Sequence, residues 1–417
     1  MDTFWKSRWA GREALFNASE IRDILRIVDR PEVISFAGGL PAPELFPVAE
    51  FRAACERTLA AHGDIALQYG TVEGYVPLRE MIARHVSRLG IEVGLDNVLI
   101  TSGTQQSLDL IGRLFLDDGD VVVCEEPTYL GAIQAWRPYG PRFVTLPVDE
   151  DGTRIEQLED ILRQNSPKFL YLMPNFQNPA GVTLSELRRQ RVVELAARYQ
   201  VPIVEDDPNV QLRFGGEHLT PLYVLDADRR PPGGPQARGD QAHVLYLGTF
   251  SKLLAPGLRV GWVVGPKSVI TELVLAKQGV DMHTSTLTQV LAHEVGRNGF
   301  LDRHVGALCR VYRERRDAML QALEVGMPAG VRWTHPDGGL FLWLTFPERI
   351  DAESLLPRAL ERGVAYVPGA TFHVAGGGSN TARLNFSHSD PERIRAGVER
   401  LGRVVEEALA GAGPRVL

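Results

Sequence analysis

This 417-residue chain lacks several features that mark specialised classes of protein. Its three cysteines, Cys55, Cys124 and Cys309, lie far apart in apolar or helical settings, which favours reduced thiols over a disulfide framework or a zinc site. No run of about eighteen apolar residues occurs, and the first residues carry charges and tryptophans rather than an apolar core. The sequence therefore predicts a cytoplasmic protein with no membrane span and no metal site.

The chain also lacks an excess of basic over acidic residues. The formal net charge is −7, whereas nucleic-acid binding rests largely on a dense basic surface, so no nucleic-acid partner is expected. Only five of the 45 basic residues are lysines, namely Lys6, Lys168, Lys252, Lys267 and Lys277. Any reaction that needs a side-chain amine therefore has few candidates.

Length and patterning predict two domains. The chain is longer than one hydrophobic core usually supports, and from about residue 75 helical stretches alternate with short apolar strands. This alternation predicts an α/β fold in which a mainly parallel sheet is covered by helices on both faces. The expected strands are Val98–Thr101, Val121–Cys124, Phe143–Leu146, Phe169–Met173, Ile203–Glu205, Val244–Leu247 and Val260–Val264. Ligand-binding groups should then gather at the carboxyl ends of these strands.

The flanking segments predict a helix, an insertion and a smaller domain. Ser19 caps an amphipathic helix that continues to Val28. Residues 228–241 are rich in arginine, proline and glycine and indicate an exposed, mobile loop. A long helix over about residues 300–324, followed by strands near 339–345, 365–367 and 383–387, predicts a smaller α+β domain.

Lys252 stands out because it alone among the lysines follows an apolar, strand-like run, residues 244–247. Small and hydroxylated residues surround it, and Arg259 lies seven positions further on. A lysine amine that loses its proton near neutral pH can form a Schiff base with an aldehyde, and hydroxyls with an arginine suit a phosphate dianion. This segment therefore indicates a pyridoxal-phosphate lysine, although an isolated lysine at a strand end is usually a surface residue.

Polar motifs follow other predicted strands. Residues 101–106 end a strand and open a helix whose first amides and hydroxyls can bind phosphate, with a routine helix cap as the alternative. Tyr129 can stack on a pyridine ring or simply pack, and Asn178 lies in a turn rich in proline and glycine that can direct its amide at a ligand. Asp206 ends a buried strand, where a carboxylate can pair with a protonated pyridine nitrogen, while Asp207 can cap a helix.

Two further segments indicate substrate binding. Arg383 lies inside an apolar strand, and a buried arginine is rare without an anionic partner such as a substrate carboxylate. Residues 35–41 contain Gly38, Gly39 and Pro41 and form a loop suited to close approach of the backbone to a ligand.

In this order, the motifs resemble those of the fold type I, class I and II aminotransferases. Residues 35–47 and 68–75 resemble the subgroup of α-aminoadipate and kynurenine aminotransferases, and the likeness extends from about Ser19 to the last helix. The resemblance implies a pyridoxal-phosphate enzyme that moves an amino group between an α-amino acid and a 2-oxo acid, as a homodimer with shared active sites. It also implies an N-terminal arm and part of a small domain in residues 1–60, a large cofactor-binding domain in 61–292 and a small C-terminal domain in 293–417.

The resemblance gives each motif a role. Lys252 would form the Schiff base and move the proton between the substrate Cα and the cofactor. The residues expected at the phosphate are Ser102, Gly103, Thr104, Ser251, Arg259 and Tyr69 of the neighbouring subunit. Those expected at the ring are Tyr129 on its face, Asp206 at its nitrogen and Asn178 at its 3′ oxygen. Those expected at the substrate are Arg383, Gly39, Asn178 and Arg22, although Arg22 is equally well explained as a solvated helical residue.

One position departs from the family pattern. Three residues after Asp206 the family has a tyrosine that donates to the 3′ oxygen, whereas this chain has Asn209. If the shorter amide fails to reach, the phenolate is more basic and the pKa of the Schiff base rises. Two alternatives follow: a tolerated change in an aminotransferase, or a diverted pyridoxal reaction such as decarboxylating oxidative deamination or β-elimination in a specialised biosynthetic pathway. A domain derived from a transcriptional regulator is a remote third alternative, because little chain precedes the family-like region.

Overall fold

The structure is a computed structural model that describes residues 3–16, 32–229 and 239–411. The predicted helix between Ser19 and Val28, Arg22 within it, and most of the predicted insertion at 228–241 lie outside these residues. Within them the strands are β1 Ile34–Ser35, β2 Val98–Thr101, β3 Val121–Glu126, β4 Arg142–Asp149, β5 Gly152–Thr153, β6 Phe169–Leu172, β7 Ile203–Asp206, β8 Val244–Thr249, β9 Gly261–Val264, β10 Arg332–Trp333, β11 Phe341–Thr345, β12 Val364–Ala365, β13 Val367–Pro368 and β14 Thr381–Asn385.

The helices alternate with these strands over the middle of the chain. In the same described ranges they are α1 Thr3–Lys6, α2 Val48–Ala66, α3 Val76–Ser87, α4 Thr104–Phe115, α5 Leu130–Trp136, α6 Leu158–Asn165, α7 Glu186–Tyr199, α8 Leu222–Asp228, α9 Lys267–Gln278, α10 Thr286–Gly296, α11 Phe300–Gly326, α12 Ala352–Glu361 and α13 Pro391–Gly411. None of the helices that the structure describes is long and apolar enough to cross a membrane.

Eight of the described strands form one mixed sheet in the order β2-β9-β8-β7-β6-β3-β4-β5. Strands β8, β7, β6, β3 and β4 run parallel to one another, which confirms the predicted α/β fold. Strand β9 is antiparallel to both β2 and β8, a reversal that the sequence pattern did not predict. Because β9 runs the opposite way, it begins at the edge where β2 and β8 end.

Helices cover the mixed sheet on both faces. Successive residues of a strand point to opposite faces. Accordingly Leu99 and Val122 pack in one apolar cluster with side chains of α4, α5 and α9, while Ile100 and Val123 pack in another with side chains of α3 and α7. Because the sequence neighbours Leu99 and Ile100 are both buried, as are Val122 and Val123, these strands are apolar throughout and do not alternate between apolar and polar residues.

A second sheet lies in the C-terminal part and is antiparallel, in the order β10-β11-β14-β13. The N-terminal segment joins this part of the molecule, since β1 pairs in parallel with β12. The amide of Phe36 donates to Ala365 O, and the amide of Asn385 donates to Phe36 O. These bonds fix the segment that follows β1 beside β14, the strand that carries Arg383. The domain boundaries after residues 60 and 292 stay predictions.

Candidate active site

The predicted site residues meet at one edge of the mixed sheet. Ser102–Thr104 follow β2, Tyr129 follows β3 and Asn178 follows β6. Asp206 ends β7, and Ser251 and Lys252 follow β8. Arg259 reaches the same edge because it precedes the antiparallel β9. Gly261 permits this approach, since a Cβ on it would lie 2.8 Å from the carbonyl carbon of Gly103.

Lys252 is partly buried and its amine contacts the N-terminal segment. The Nζ atom donates to Gly39 O at 2.7 Å. Burial, together with the positive charges of Arg383 and Arg259, lowers the pKa of Lys252 to about 8. The amine therefore loses its proton more readily near neutral pH than an ordinary lysine does, which a nucleophilic or basic lysine requires.

Arg383 is buried in β14 and is held on three sides. Its Nη1 donates to Asn178 Oδ1 and its Nη2 to Ala37 O, both at 2.8 Å. The guanidinium lies 4.3 Å and 4.9 Å from the ring centroids of Phe341 and Phe372. Burial lowers its pKa to about 9, and its Nε has no hydrogen-bond partner within the described residues. An anion bound at this edge would offset the cost of the buried charge.

Asp206 is a buried carboxyl group at the end of β7. Its Oδ2 accepts a hydrogen bond from the Tyr171 hydroxyl at 2.8 Å, while its Oδ1 has no partner in the part of the chain that the structure describes. Burial raises the pKa of Asp206 to about 7, against a smaller opposing effect of the Tyr171 hydrogen bond. The free oxygen suits pairing with a protonated ring nitrogen, and the positive charge of that partner would offset the effect of burial on the carboxylate.

Tyr129 lies close to the other charged groups of the site. Burial raises its pKa, the negative charge of Asp206 raises it further, and Arg383 and Arg259 act in the opposite direction. Its ring packs over Gly131, where any side chain would collide with it. Tyr129 therefore lies where an aromatic ring can cover a planar ligand between Asp206 and the two arginines.

An anion site forms where α4 begins. Gly103 has φ +81°, and a Cβ on it would lie 2.5 Å from Nη2 of Arg259, so glycine lets the guanidinium approach the backbone. The first amides of α4, starting at Thr104, have no acceptor inside the helix. Ser251 is held nearby by its amide, which donates to Thr249 Oγ1 at 3.1 Å. Free amides at a helix start, together with an arginine, suit a phosphate group.

Ser102 is engaged by residues that the sequence analysis missed. Its Oγ donates to Asp281 Oδ2 at 2.9 Å, and its amide donates to Gln106 Oε1 at 2.8 Å. The other oxygen of Asp281 pairs with the buried Lys277 amine at 2.6 Å. Both donors of Ser102 are therefore occupied, whereas the donors of Thr104 have no acceptor among the residues that the structure describes. The spacing of Lys277 and Asp281, four residues apart, was the available signal for this ion pair.

A buried glutamate, also missed, holds the loop that carries Asn178. Glu125 accepts hydrogen bonds from the Thr153 hydroxyl at 2.7 Å and from the amide of Met173 at 3.1 Å. Gln177 Nε2 donates to the same carboxyl group at 3.3 Å, and burial raises the pKa of Glu125 to about 7. Asn178 is therefore set beside Arg383 by a loop that is anchored to β3.

The remaining predicted residues differ in their surroundings. Asn209 is buried, and its Oδ1 has no hydrogen-bond partner among the described residues. Tyr69 is 77% exposed and meets His283 edge to face, so within one chain it does not join the buried cluster. Gly39 contributes the carbonyl that binds Lys252.

The residues at this edge fit pyridoxal phosphate. Asp206 Oδ1 and Arg383 Nε are buried and lack partners in the described structure, and Lys252 has a depressed pKa. The start of α4 provides an anion site beside them. The fold and the site together define a pyridoxal-phosphate-dependent enzyme of fold type I.

Known proteins give the family. The family model described as aminotransferase class I and II matches residues 32–401. The chain is 45% identical over 398 residues to aromatic-amino-acid aminotransferase 1 of Thermococcus litoralis, covering 94% of this chain and 92% of that protein. It is also 45% identical over 406 residues to 2-aminoadipate transaminase of Thermus thermophilus, covering 97% and 98%.

A solved structure agrees with these relatives. The α-aminoadipate aminotransferase LysN of Thermus thermophilus, complexed with N-(5′-phosphopyridoxyl)-L-leucine, matches with a TM-score of 0.90 and 44% identity, covering 98% of this chain and 100% of that one. The chain belongs to the class I and II aminotransferases and is a pyridoxal-phosphate-dependent aminotransferase of amino acid metabolism. The resemblance is confirmed, and neither the diverted reaction nor the regulator is favoured.

Proposed function

We propose that Lys252 carries the cofactor as a Schiff base and moves the proton during transamination between an α-amino acid and a 2-oxo acid. One observation carries this proposal: Lys252 Nζ donates to Gly39 O while Arg383 Nη2 donates to Ala37 O. An amine and a guanidinium thus converge on one short segment. Their common attachment to residues 37–39 suits a substrate whose amine and carboxylate are joined to the same carbon.

Lys252 acts as the base at the substrate Cα. Bound pyridoxal phosphate supplies an electron sink for the negative charge that develops at this carbon. Because the pKa of Lys252 is lowered to about 8, its Nζ can accept the Cα proton near neutral pH and return it later. The carbonyl of Gly39 orients the amine for this transfer.

Arg383 binds the α-carboxylate of the substrate. Asn178 and Ala37 already accept two of its donors, so the Nε edge remains for the carboxylate. Phe341 and Phe372 cover the guanidinium and keep water from it. The carboxylate must therefore approach in the plane of the guanidinium, which fixes the orientation of the substrate.

The other residues hold the cofactor. We assign the phosphate to the anion site at the start of α4, with Ser102, Gly103, Thr104, Ser251 and Arg259. Asp206 pairs with the ring nitrogen through Oδ1 and Tyr129 covers the ring face. Asn178 and Asn209 lie towards the 3′ oxygen. The support for these roles is the free Oδ1 of Asp206 and the close approach of the Arg259 guanidinium to Gly103, while the donors of Ser102 are held by Asp281 and Gln106.

The enzyme acts as a cytoplasmic homodimer whose active sites are shared between subunits. Tyr69 is exposed together with Ile65 and Leu67, and such an apolar patch is best covered by protein. In the dimer Tyr69 reaches the phosphate of the neighbouring subunit.

The amino donor is a long acidic or an aromatic amino acid. The support comes from two relatives at 45% identity, one named for aromatic amino acids and the other for 2-aminoadipate. A spectroscopic screen of amino acids against the purified holoenzyme tests this proposal. Preferred donors should convert the bound cofactor to its amino form and release the matching 2-oxo acid. Oxygen uptake, carbon dioxide or a released thiol without such conversion would instead support the diverted reaction.

A further inference from the structure

A buried tyrosine contacts Asp206 from the neighbouring strand. Tyr171 lies in β6 opposite Val204 of β7, and Asp206 follows on the same face two residues later. The Tyr171 hydroxyl donates to Asp206 Oδ2 at 2.8 Å. Both side chains are buried, and Asp206 Oδ1 keeps no partner within the described residues. The hydrogen bond therefore leaves one oxygen occupied and the other free.

The ring of Tyr171 is itself held in place. It meets Trp136 edge to face, with the ring centroids 5.0 Å apart. Trp136 meets Phe169 at the same distance, and its Nε1 donates to Leu108 O at 2.7 Å. Burial raises the pKa of Tyr171 well above its usual value, so the phenol stays protonated as a donor. A rigid ring thus presents a fixed hydroxyl to Asp206.

We propose that Tyr171 is a positioning residue that occupies Oδ2 of Asp206 and directs Oδ1 at the ring nitrogen of pyridoxal phosphate. This inference rests on the proposed pairing of Asp206 with that nitrogen. The hydroxyl also stabilises the ionised carboxylate. It therefore keeps the proton on the ring nitrogen rather than on Asp206, which the electron sink requires.

The negative charge of Asp206 is also felt by other titratable groups, whose pKa it raises. They are Glu125 on β3, Tyr129 before α5, Asp207 after β7 and Tyr246 on β8. The carboxylates among them oppose a second buried negative charge, which makes a donor to Asp206 more valuable. Within the described chain Tyr171 supplies that donor.

Replacing Tyr171 with phenylalanine tests the inference, with Tyr223→Phe as the matched control. Tyr223 is also buried, and its hydroxyl has no hydrogen-bond partner among the described residues. The measurement is a pH titration of the ring nitrogen by NMR, with ¹⁵N-labelled cofactor in the holoenzyme. Tyr171→Phe should lower the pH at which this nitrogen loses its proton by about one to two units. It should also lower kcat about tenfold while KM changes little, and Tyr223→Phe should leave both values unchanged.

Two further altered proteins separate the possible outcomes of this test. 3-Fluorotyrosine in place of Tyr171 preserves the shape and strengthens the donor, so it should raise the same midpoint even if Tyr171→Phe does not bind the cofactor. Midpoints equal to that of the unaltered enzyme would overturn the inference. Asp206→Asn tests the proposed function separately: an unchanged nitrogen titration in this variant would show that Asp206 does not pair with the ring.

Discussion

The amine of Lys252 has a lowered pKa, whereas two other lysines form ion pairs. Burial and two arginines lower its pKa to about 8, whereas the amines of Lys277 and Lys267 are paired with Asp281 and Asp96. We therefore expect borohydride reduction of the holoenzyme to attach the cofactor to Lys252. Lys252→Ala should abolish turnover, and Lys267→Ala should leave labelling and activity unchanged. Peptide mapping checks the position, and label on any other lysine would contradict the assignment.

Asn209 should leave the Schiff base protonated to a higher pH than a tyrosine would. A donor to the charged 3′ oxygen stabilises the deprotonated state, and such a bond contributes about 1.5 to 3 kcal/mol, or about one to two pH units. Asn209→Tyr should therefore lower the midpoint of the visible-absorbance pH titration and raise the transamination rate.

Asn209→Ala is the control for this titration. If the asparagine makes no bond to the 3′ oxygen, the alanine variant should titrate like the unaltered enzyme. A higher midpoint in Asn209→Ala, or an unchanged one in Asn209→Tyr, would show that Asn209 already supplies the hydrogen bond.

The residues that sequence reasoning found and those that it missed differ in kind. Lys252, Asp206 and Arg383 each carry an unusual local context, a reactive or charged group in an apolar strand or at its end. Tyr171 and Glu125 lie in equally apolar strands, but their importance depends on contacts with other strands and loops. Such contacts depend on sheet order and register, which are long-range properties that a local pattern does not contain.

At the scale of elements, the start of α4 depends on a glycine. Gly103→Ala would place a methyl group against the Arg259 guanidinium and strain a backbone with φ +81°. Gly119→Ala is the matched control, because Gly119 has φ +85° and an added Cβ would meet nothing within 4 Å. Both variants should lose about 1 to 2 kcal/mol of folding stability. Only Gly103→Ala should also weaken cofactor binding, by about tenfold, since it displaces a charged donor.

Equilibrium binding of pyridoxal phosphate to the two cofactor-free variants measures this difference. Equal dissociation constants would show that Arg259 does not act at the phosphate. Thermal unfolding of the same samples reports the backbone strain that both substitutions share.

The order of helices and strands could be predicted from the sequence, but the antiparallel direction of β9 could not. Apolar runs at residues 98–101 and 260–264 predicted strands correctly, because continuous burial leaves a clear signal. The antiparallel course of β9 follows from the short connection after β8, which passes through Lys252 and Arg259 and is too short for a helical crossover. That connection also carries residues of the candidate site, and the reading of residues 248–262 as a cofactor-binding segment did not give the direction of β9.

The whole molecule leaves an apolar surface beside the candidate site. Leu67 is 70% exposed and Tyr69 is 77% exposed, next to a cavity of about 420 Å³ lined by Gln68, Tyr75 and Gln289. A monomer rarely leaves such side chains in water without a partner. The site residues of one chain do not include Tyr69, so the role proposed for it requires a second subunit.

Mixed dimers test whether the sites are shared. A dimer that combines a Tyr69→Phe chain with a Lys252→Ala chain has one site with both side chains intact if Tyr69 serves the neighbouring subunit. If Tyr69 serves its own subunit, neither site is intact. We therefore expect the purified mixed dimer to have about half the activity of the unaltered dimer. This value should lie well above half the activity of the Tyr69→Phe homodimer, because loss of a hydrogen bond to phosphate costs enough free energy to separate the two. Differently tagged chains allow the mixed species to be isolated, and Leu59→Ser in both chains is a surface control that leaves the active site untouched. Activity equal to half that of the Tyr69→Phe homodimer, or full activity in a verified monomer, would contradict shared sites.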